Sequence, residues 1–318
     1  MNENGAETLI VTYHYLTGEV FPGRGVHPFG LERFRVQLER LARTSRFLSL
    51  EDLLEERRPP LGGARRYALL TFDDGLAEQF EAGLPLLESM GIPAIFFPCT
   101  GPMENGTLLH VHRLHALRSA LSDRDLLALF LRLAESRGFE ESARAIALGC
   151  AEEAAYPYDK PEARGLKSLF NYTLPVSERE KISTLAFEEV FWQSRPWAER
   201  LYMSPAMLRE LGRKGLLGTH THSHRPLSSL GREGARKEIE VSVDLLEKTA
   251  GVRPRAVSYP YGGRLAVSPE TFEAASDCGM ACGFTTERRA NPPGANRLQL
   301  GRFDAEDLYP GKRPLVDL

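Results

Sequence analysis

Three observations predict a parallel α/β fold. Short apolar runs alternate with amphipathic helical patterns along the 318 residues. One such run, "YALLTF", is apolar or nearly so throughout, as suits a strand covered on both faces. Polar residues capable of metal or proton chemistry stand where several of the runs end.

Strands are expected at 8–14 ("TLIVTYH"), 67–72 ("YALLTF"), 93–98 ("PAIFFP") and 215–220 ("GLLGTH"). Further strands are expected at 255–260 ("RAVSYP"), 281–286 ("ACGFTT") and 297–302 ("RLQLGR"), with a short one near 46–50. Helices fit between them. "LERFRVQLERLART" places Phe34, Leu38 and Leu41 on one face. "LAEQFEAGLPLLESM" forms the next, and "GREGARKEIEVSVDLLEKTAG" ends at Gly251, a suitable C-terminal stop. From 102 to about 210 no strand pattern occurs, only amphipathic stretches such as "LHALRSALSDRDLLALFLRLAES". That is too long for a plain loop. It predicts a helical insertion within one domain spanning 1–318.

Bulk properties narrow the function. A net charge of -3 gives no electrostatic support for nucleic-acid binding. The start "MNENGAETLIVTYHYL" lacks the charge and apolar length of a secretory signal, and no window is long and apolar enough to span a membrane. Cys99, Cys150, Cys278 and Cys282 form no C-x-x-C pair or disulfide framework. A cytoplasmic setting is the expectation.

The strand at 67–72 runs into Asp73 and Asp74, then Gly75. An isolated Asp-Asp-Gly is ordinarily a solvated turn. Here, however, His14, His220 and Tyr259-Pro260-Tyr261 also lie where predicted strands end. In (β/α) barrels those ends share the face that carries the active site. "GTHTHSH" adds His222 and His224; residues four apart share a face, so His220 and His224 can grip one ion while His222 points away. Two imidazoles and a carboxylate are a familiar divalent-metal set. Solvated turn histidines are the alternative, and Asp74 at another strand end favours ligation.

"TFDDG", "HTHSH" and "SYPYGG", in this order on strand ends, resemble the metal-dependent polysaccharide deacetylases of carbohydrate esterase family four. The likeness runs through 8–101 and 215–304 and leaves the insertion uncovered. It implies a distorted (β/α) barrel of about seven strands that removes an N-acetyl group from an amino sugar or glycan precursor. It also implies one divalent ion on Asp74, His220 and His224, with zinc the first choice and Co2+, Ni2+, Mn2+ or Fe2+ as alternatives. Asp73 would be the general base, and the backbone N–H of Tyr261 would receive the oxyanion. Such chemistry accounts for the doublet: successive strand residues face opposite ways, Gly75 permits the turn, and a dication removes the repulsion.

Two positions depart from the family pattern. Many members carry an arginine that orients the base; here Ser258 stands in its place, so that group is absent or supplied from elsewhere. The usual acid is a C-terminal histidine, and none follows His224. His14, in "VTYHYL", is the candidate acid, since the branch that de-N-acetylates poly-N-acetylglucosamine has a similar N-terminal Tyr-His. A core strand histidine is its alternative role. His110, His112 and His115 are expected on a solvated helix face, with rim or substrate contact as the alternative. His27 sits in a loop, and Trp192 and Trp197 are expected to pack in a core rather than stack a sugar.

Three rival functions remain. The same site could hydrolyse a non-sugar amide or cyclic ureide. A two-histidine, one-carboxylate set also binds Fe(II) in oxygenases, though usually with H-x-D close together on a β-sandwich. A catalytically dead binding module is disfavoured by the intact Asp73-Asp74 pair.

Overall fold

A computed structural model describes residues 5–23, 25–148, 161–312 and 314–316. The chain divides into two compact units. The first comprises residues 1–17, 28–105 and 199–318; the second comprises 18–27 and 106–198.

The first unit is a distorted (β/α) barrel. Its strands are β1 (Thr8–Tyr13), β2 (Ser45–Phe47), β3 (Arg66–Asp74), β4 (Ala94–Pro98), β5 (Ala256–Ser258), β6 (Cys282–Phe284) and β7 (Phe303–Asp304). All named pairings are parallel. β3 pairs with β1 along one edge, from Thr8↔Tyr67 to Tyr13↔Phe72. Its other edge is shared, the first residues by β2 and the last by β4. Single parallel bridges, Phe96↔Leu217, Thr219↔Val257 and Phe284↔Leu300, carry the ring from β4 to β5 and from β6 toward β7. β7 returns to β1.

Period-two alternation decides what each strand offers the site. On β1, Leu9, Val11 and Tyr13 pack outward with Phe34, Leu38 and Leu41 of helix Leu31–Thr44. Ile10, Leu69, Ile95, Phe97, Ala256, Cys282 and Phe284 form a separate cluster inside the ring. Along β3 the inward row is therefore Leu69, Thr71, Asp73. Burial of the leucine, isoleucine and phenylalanine side chains of this cluster contributes roughly 1.5–3 kcal/mol each. That stability offsets a polar cluster at one end of the barrel.

Two expected strands are corrected. The stretch 215–220 is reduced to bridges at Leu217 and Thr219, yet its backbone still closes the ring: the Phe96 N–H donates to the Leu216 carbonyl at 2.8 Å, and the Gly218 and His220 N–H groups donate to the Phe96 and Pro98 carbonyls at 2.9 and 3.0 Å. The stretch 297–302 begins as a 3-10 turn, Arg297–Gln299, since the Asn296 side chain accepts from the Leu298 N–H at 3.0 Å. Strand pairing resumes at Leu300 and at β7. The helix expected after the aspartates opens as a π-helical turn, Gln79–Gly83, before becoming α-helical at Leu84–Ser89.

The second unit is helical, and no strand occurs among its described residues. Leu114, Leu117, Phe130, Phe170, Ile182 and Ala186 are among the residues of its own apolar core. No helix among the described residues is long and apolar enough to cross a membrane. Cys99, Cys278 and Cys282 are free thiols, and Cys150 lies outside the described residues.

Candidate active site

Asp73 and Asp74 end β3 with separate partners. Asp73 continues the inward row and is buried. Arg302 grips it with Nη1 donating to Oδ1 at 2.9 Å and Nη2 to Oδ2 at 2.7 Å. The Ser258 hydroxyl also donates to Oδ2, at 3.0 Å. Burial pushes the Asp73 carboxyl upward, but the Arg302 charge, aided by His220 and His14, outweighs it and holds the pKa at about 2. Asp73 is therefore ionised at any working pH.

Asp74 departs from strand geometry with φ 74. Gly75 follows at φ 73, lying so close to Pro98 that a Cβ would come within 2.6 Å of its side chain. This tight turn is what separates the two carboxylates. Asp74 Oδ1 stands 3.5 Å from His220 Nε2 and 3.4 Å from His224 Nε2. Those spacings exceed an ordinary hydrogen bond. They match the edge of a tetrahedron, about 3.3–3.6 Å, whose corners lie about 2.0–2.2 Å from a central ion. Among the described residues this is the one group of three or more ligating side chains with its donor atoms clustered.

The histidines are arranged to offer lone pairs. His220 Nδ1 lies 2.7 Å from the Ser258 carbonyl and donates to it, which leaves Nε2 as acceptor. Burial pulls the His220 pKa down to about 4 against the raising effect of Asp73, so the ring is neutral at pH 7. His222 turns away: its Nδ1 meets Thr100 Oγ1 at 3.0 Å and its Nε2 lies 3.4 Å from Glu104. The neighbouring Cys99 thiol donates to the His220 carbonyl, and burial keeps it protonated. The donor set of one carboxylate and two neutral imidazoles fits a divalent ion.

Backbone strain concentrates here. Among the described residues six non-glycine positions have positive φ, and Asp74, Thr221, His224 and Tyr261 are four of them. A β-branched threonine in this region is a genuine outlier, and such strain collects at functional sites. Tyr261 follows β5; its ring meets that of His224 edge-on at 4.8 Å, and its carbonyl is held by Thr286 Oγ1 at 2.8 Å. His14 follows β1, half-buried, with its carbonyl accepting from Gln79 Nε2 at 3.1 Å. The same amide nitrogen bonds the Asp73 carbonyl at 2.6 Å, tying the two strand ends together.

The residue missed by sequence reasoning is Arg302. It makes the arginine contact with Asp73 that Ser258, at the motif position, cannot make, and Ser258 itself links the parts: its hydroxyl accepts from Arg302 Nη2 at 2.9 Å. Its signal was present, since Arg302 ends the strand expected at 297–302 and so shares the strand-end placement of the other site residues.

The other candidates fall elsewhere. His110 and His112 are buried in the helical unit rather than on a solvated face, and His115 is half-buried. His110 Nδ1 meets Ser183 Oγ at 3.1 Å, and its ring stacks on Phe170. Trp197 packs on Phe21 and Phe191, as expected of a core residue, whereas Trp192 is 79% exposed. His27 is exposed.

Fold and site together place a candidate metal-ligand cluster at one rim of a (β/α) barrel. A family model described as polysaccharide deacetylase matches residues 165–283, which include the histidine motif and the Tyr-Pro-Tyr-Gly turn but not the aspartate pair. Over that segment the chain is similar to the polysaccharide deacetylases. No curated protein matches it by sequence.

Solved structures share its fold. The deacetylase PplD of Streptococcus pyogenes, in complex with acetate, aligns at TM-score 0.57 and 15% identity, over 94% of this chain and 92% of that one. The BpsB deacetylase domain of Bordetella bronchiseptica aligns at 0.54 and 17%, over 95% and 96%. A de-N-acetylase of Aggregatibacter actinomycetemcomitans aligns at 0.53 and 14%, over 94% and 96%.

Proposed function

We propose that the protein is a zinc-dependent de-N-acetylase of N-acetylated amino-sugar polymers or their glycan precursors. One observation carries this: adjacent aspartates with divided partners, Asp74 facing two imidazole nitrogens and Asp73 facing an arginine. That division separates a ligand from a base. The names of the similarly folded proteins, a deacetylase holding acetate and a de-N-acetylase, support acetyl as the group released and an amide as the bond broken.

A divalent ion on Asp74, His220 and His224 would polarise the acetyl carbonyl and acidify a water molecule. Asp73, ionised and held in one orientation by Arg302 and Ser258, takes that water's proton. The Tyr261 N–H receives the developing oxyanion. His14, tied to the same glutamine amide as Asp73, returns a proton to the departing amine. Zinc is favoured because two imidazoles and one carboxylate leave a fourth position open, the pattern of catalytic zinc sites.

Acetate release from a panel of N-acetylglucosamine oligomers tests the proposal, with bound metal measured on the same samples. The expected result is about one zinc per chain and acetate from at least one glycan. A fully loaded protein that releases acetate from none of the panel overturns it.

A further inference from the structure

Two hydrogen-bond pairs outside the ligand set share a pattern. Thr219 immediately precedes His220, and its Oγ1 lies 2.6 Å from Ser242 Oγ. Ser223 immediately precedes His224; its N–H donates to Glu238 Oε2 at 2.8 Å and its hydroxyl to Glu238 Oε1 at 2.7 Å. Glu238 and Ser242 belong to the same helix, Gly231–Ala250, and stand four residues apart, one turn along a single face.

We propose that this helix is the template that sets the spacing of the two metal-binding histidines, with Glu238 and Ser242 as positioning residues. The proposal rests on the reading of Asp74, His220 and His224 as a metal site. The helix is suited to the task. Twenty residues long, it is anchored by the buried side chains Ala235, Ile239, Val243 and Leu246, and it ends at Gly251 in a left-handed cap. The segment it holds is not self-sustaining. Between and at the ligands, Thr221 has φ 62 and His224 φ 58, conformations that relax unless the surroundings impose them.

The two clamps are unequal. His220 is also fixed by its neighbours in the ring: its N–H donates to the Pro98 carbonyl at 3.0 Å, and the Thr219 N–H to that of Ala256 at 2.9 Å. Its ring is further held by the Ser258 carbonyl. Ser242 therefore reinforces a ligand already in place. Glu238 acts where the chain has left the ring, so it governs His224. With both oxygens turned to Ser223, Glu238 is a support for the ligand set rather than a member of it.

The test is the zinc dissociation constant, measured by competition with a chromogenic chelator on the full chain. Unfolding of the metal-free protein is followed in parallel. Glu238→Ala is expected to weaken zinc binding about 10–100-fold, the usual effect of losing a group that orients a ligand, with little change in metal-free unfolding. Glu238→Gln keeps one acceptor oxygen and should fall between, and it serves if the alanine variant does not fold. Ser242→Ala should weaken binding less than Glu238→Ala. Zinc affinity unchanged in both Glu238 variants overturns the template while leaving the metal site standing. Failure of the wild-type chain to bind zinc overturns the metal site itself, and the template with it.

Discussion

Arg302 and Asp73 form a two-pronged ion pair buried inside the barrel, 229 residues apart in the chain. Arg302 is satisfied on every side: its Nε donates to the Thr285 carbonyl at 3.0 Å and its Nη1 also to Thr71 Oγ1 at 3.1 Å. Such a pair gives little net stability, because both charges leave water, yet removing one partner is costly. Its value lies in fixing the carboxylate. Arg302→Lys keeps the charge and loses the fork, so turnover should fall roughly 10–100-fold, in line with the loss of a charged hydrogen bond. Bound zinc should be unchanged. With the arginine's lowering effect weakened and burial still raising it, the Asp73 pKa should climb, moving the acidic limb of the pH–rate profile upward. An unmoved limb with normal turnover would show that Arg302 is structural only.

Asp73→Asn tests the division of labour within the doublet. The amide preserves shape but cannot accept the proton, so turnover should fall about a hundred- to ten-thousand-fold while the metal stays bound. Loss of the ion from a folded Asp73→Asn protein would mean that both aspartates serve the metal.

Much of this site was legible locally. The aspartates, His220 and His14 follow apolar runs, a run that ends in a polar residue marks a strand end, and His224 is reached by its four-residue spacing from His220. What remained hidden depends on contacts distant in sequence. Nothing near Ser258 indicates that the guanidinium missing there arrives from Arg302, because a barrel brings the two together only on closure. The stretch expected as a strand at 215–220 forms only bridges, but its backbone bonds to Phe96, Pro98 and Ala256 keep it in the ring. The helical histidines were misjudged because solvation of a helix face is decided by its packing partners, here Ser183 and Phe170 for His110.

Replacing either imidazole facing Asp74 should strip the ion. His220→Ala and His224→Ala are expected to retain the fold and lose zinc by elemental analysis. His222→Ala should keep it, since that ring is engaged with Thr100 and Glu104. Equal metal loss in all three would contradict the observed facing.

Stability of the metal-free protein should carry the signature of His220. Its folded pKa of about 4 lies below the ordinary histidine value near 6.5, so between those values the unfolded chain binds more protons. Stability therefore falls as pH drops from about 6.5 to about 4, by about 3 kcal/mol from this group, and levels below that. Urea midpoints across the window measure it. His220→Asn, which cannot titrate, should flatten the dependence; an equally steep curve would assign the protons to other groups.

His14 offers the sharpest test of the proposed proton transfers. The inward row of β1 is Ile10, Thr12, and by the same alternation His14 comes next; Thr12 Oγ1 already reaches toward Asp73 Oδ2 at 3.5 Å. Gln79 bonds the carbonyls of His14 and Asp73 with one amide nitrogen, so the two residues are held at a fixed relation on neighbouring strand ends. A base and an acid so placed can act on opposite ends of one reaction, water entering and amine leaving. An amine departs poorly without a proton, whereas an aryl oxide departs unaided. His14→Ala should therefore retain zinc and lose most amide hydrolysis, about a hundredfold or more, with a much smaller loss on an aryl acetate. Parallel kinetics on an N-acetylglucosamine oligomer and on the ester decide it. If both activities fall together, or neither falls, His14 is a structural residue of the first strand and the amine takes its proton from another group.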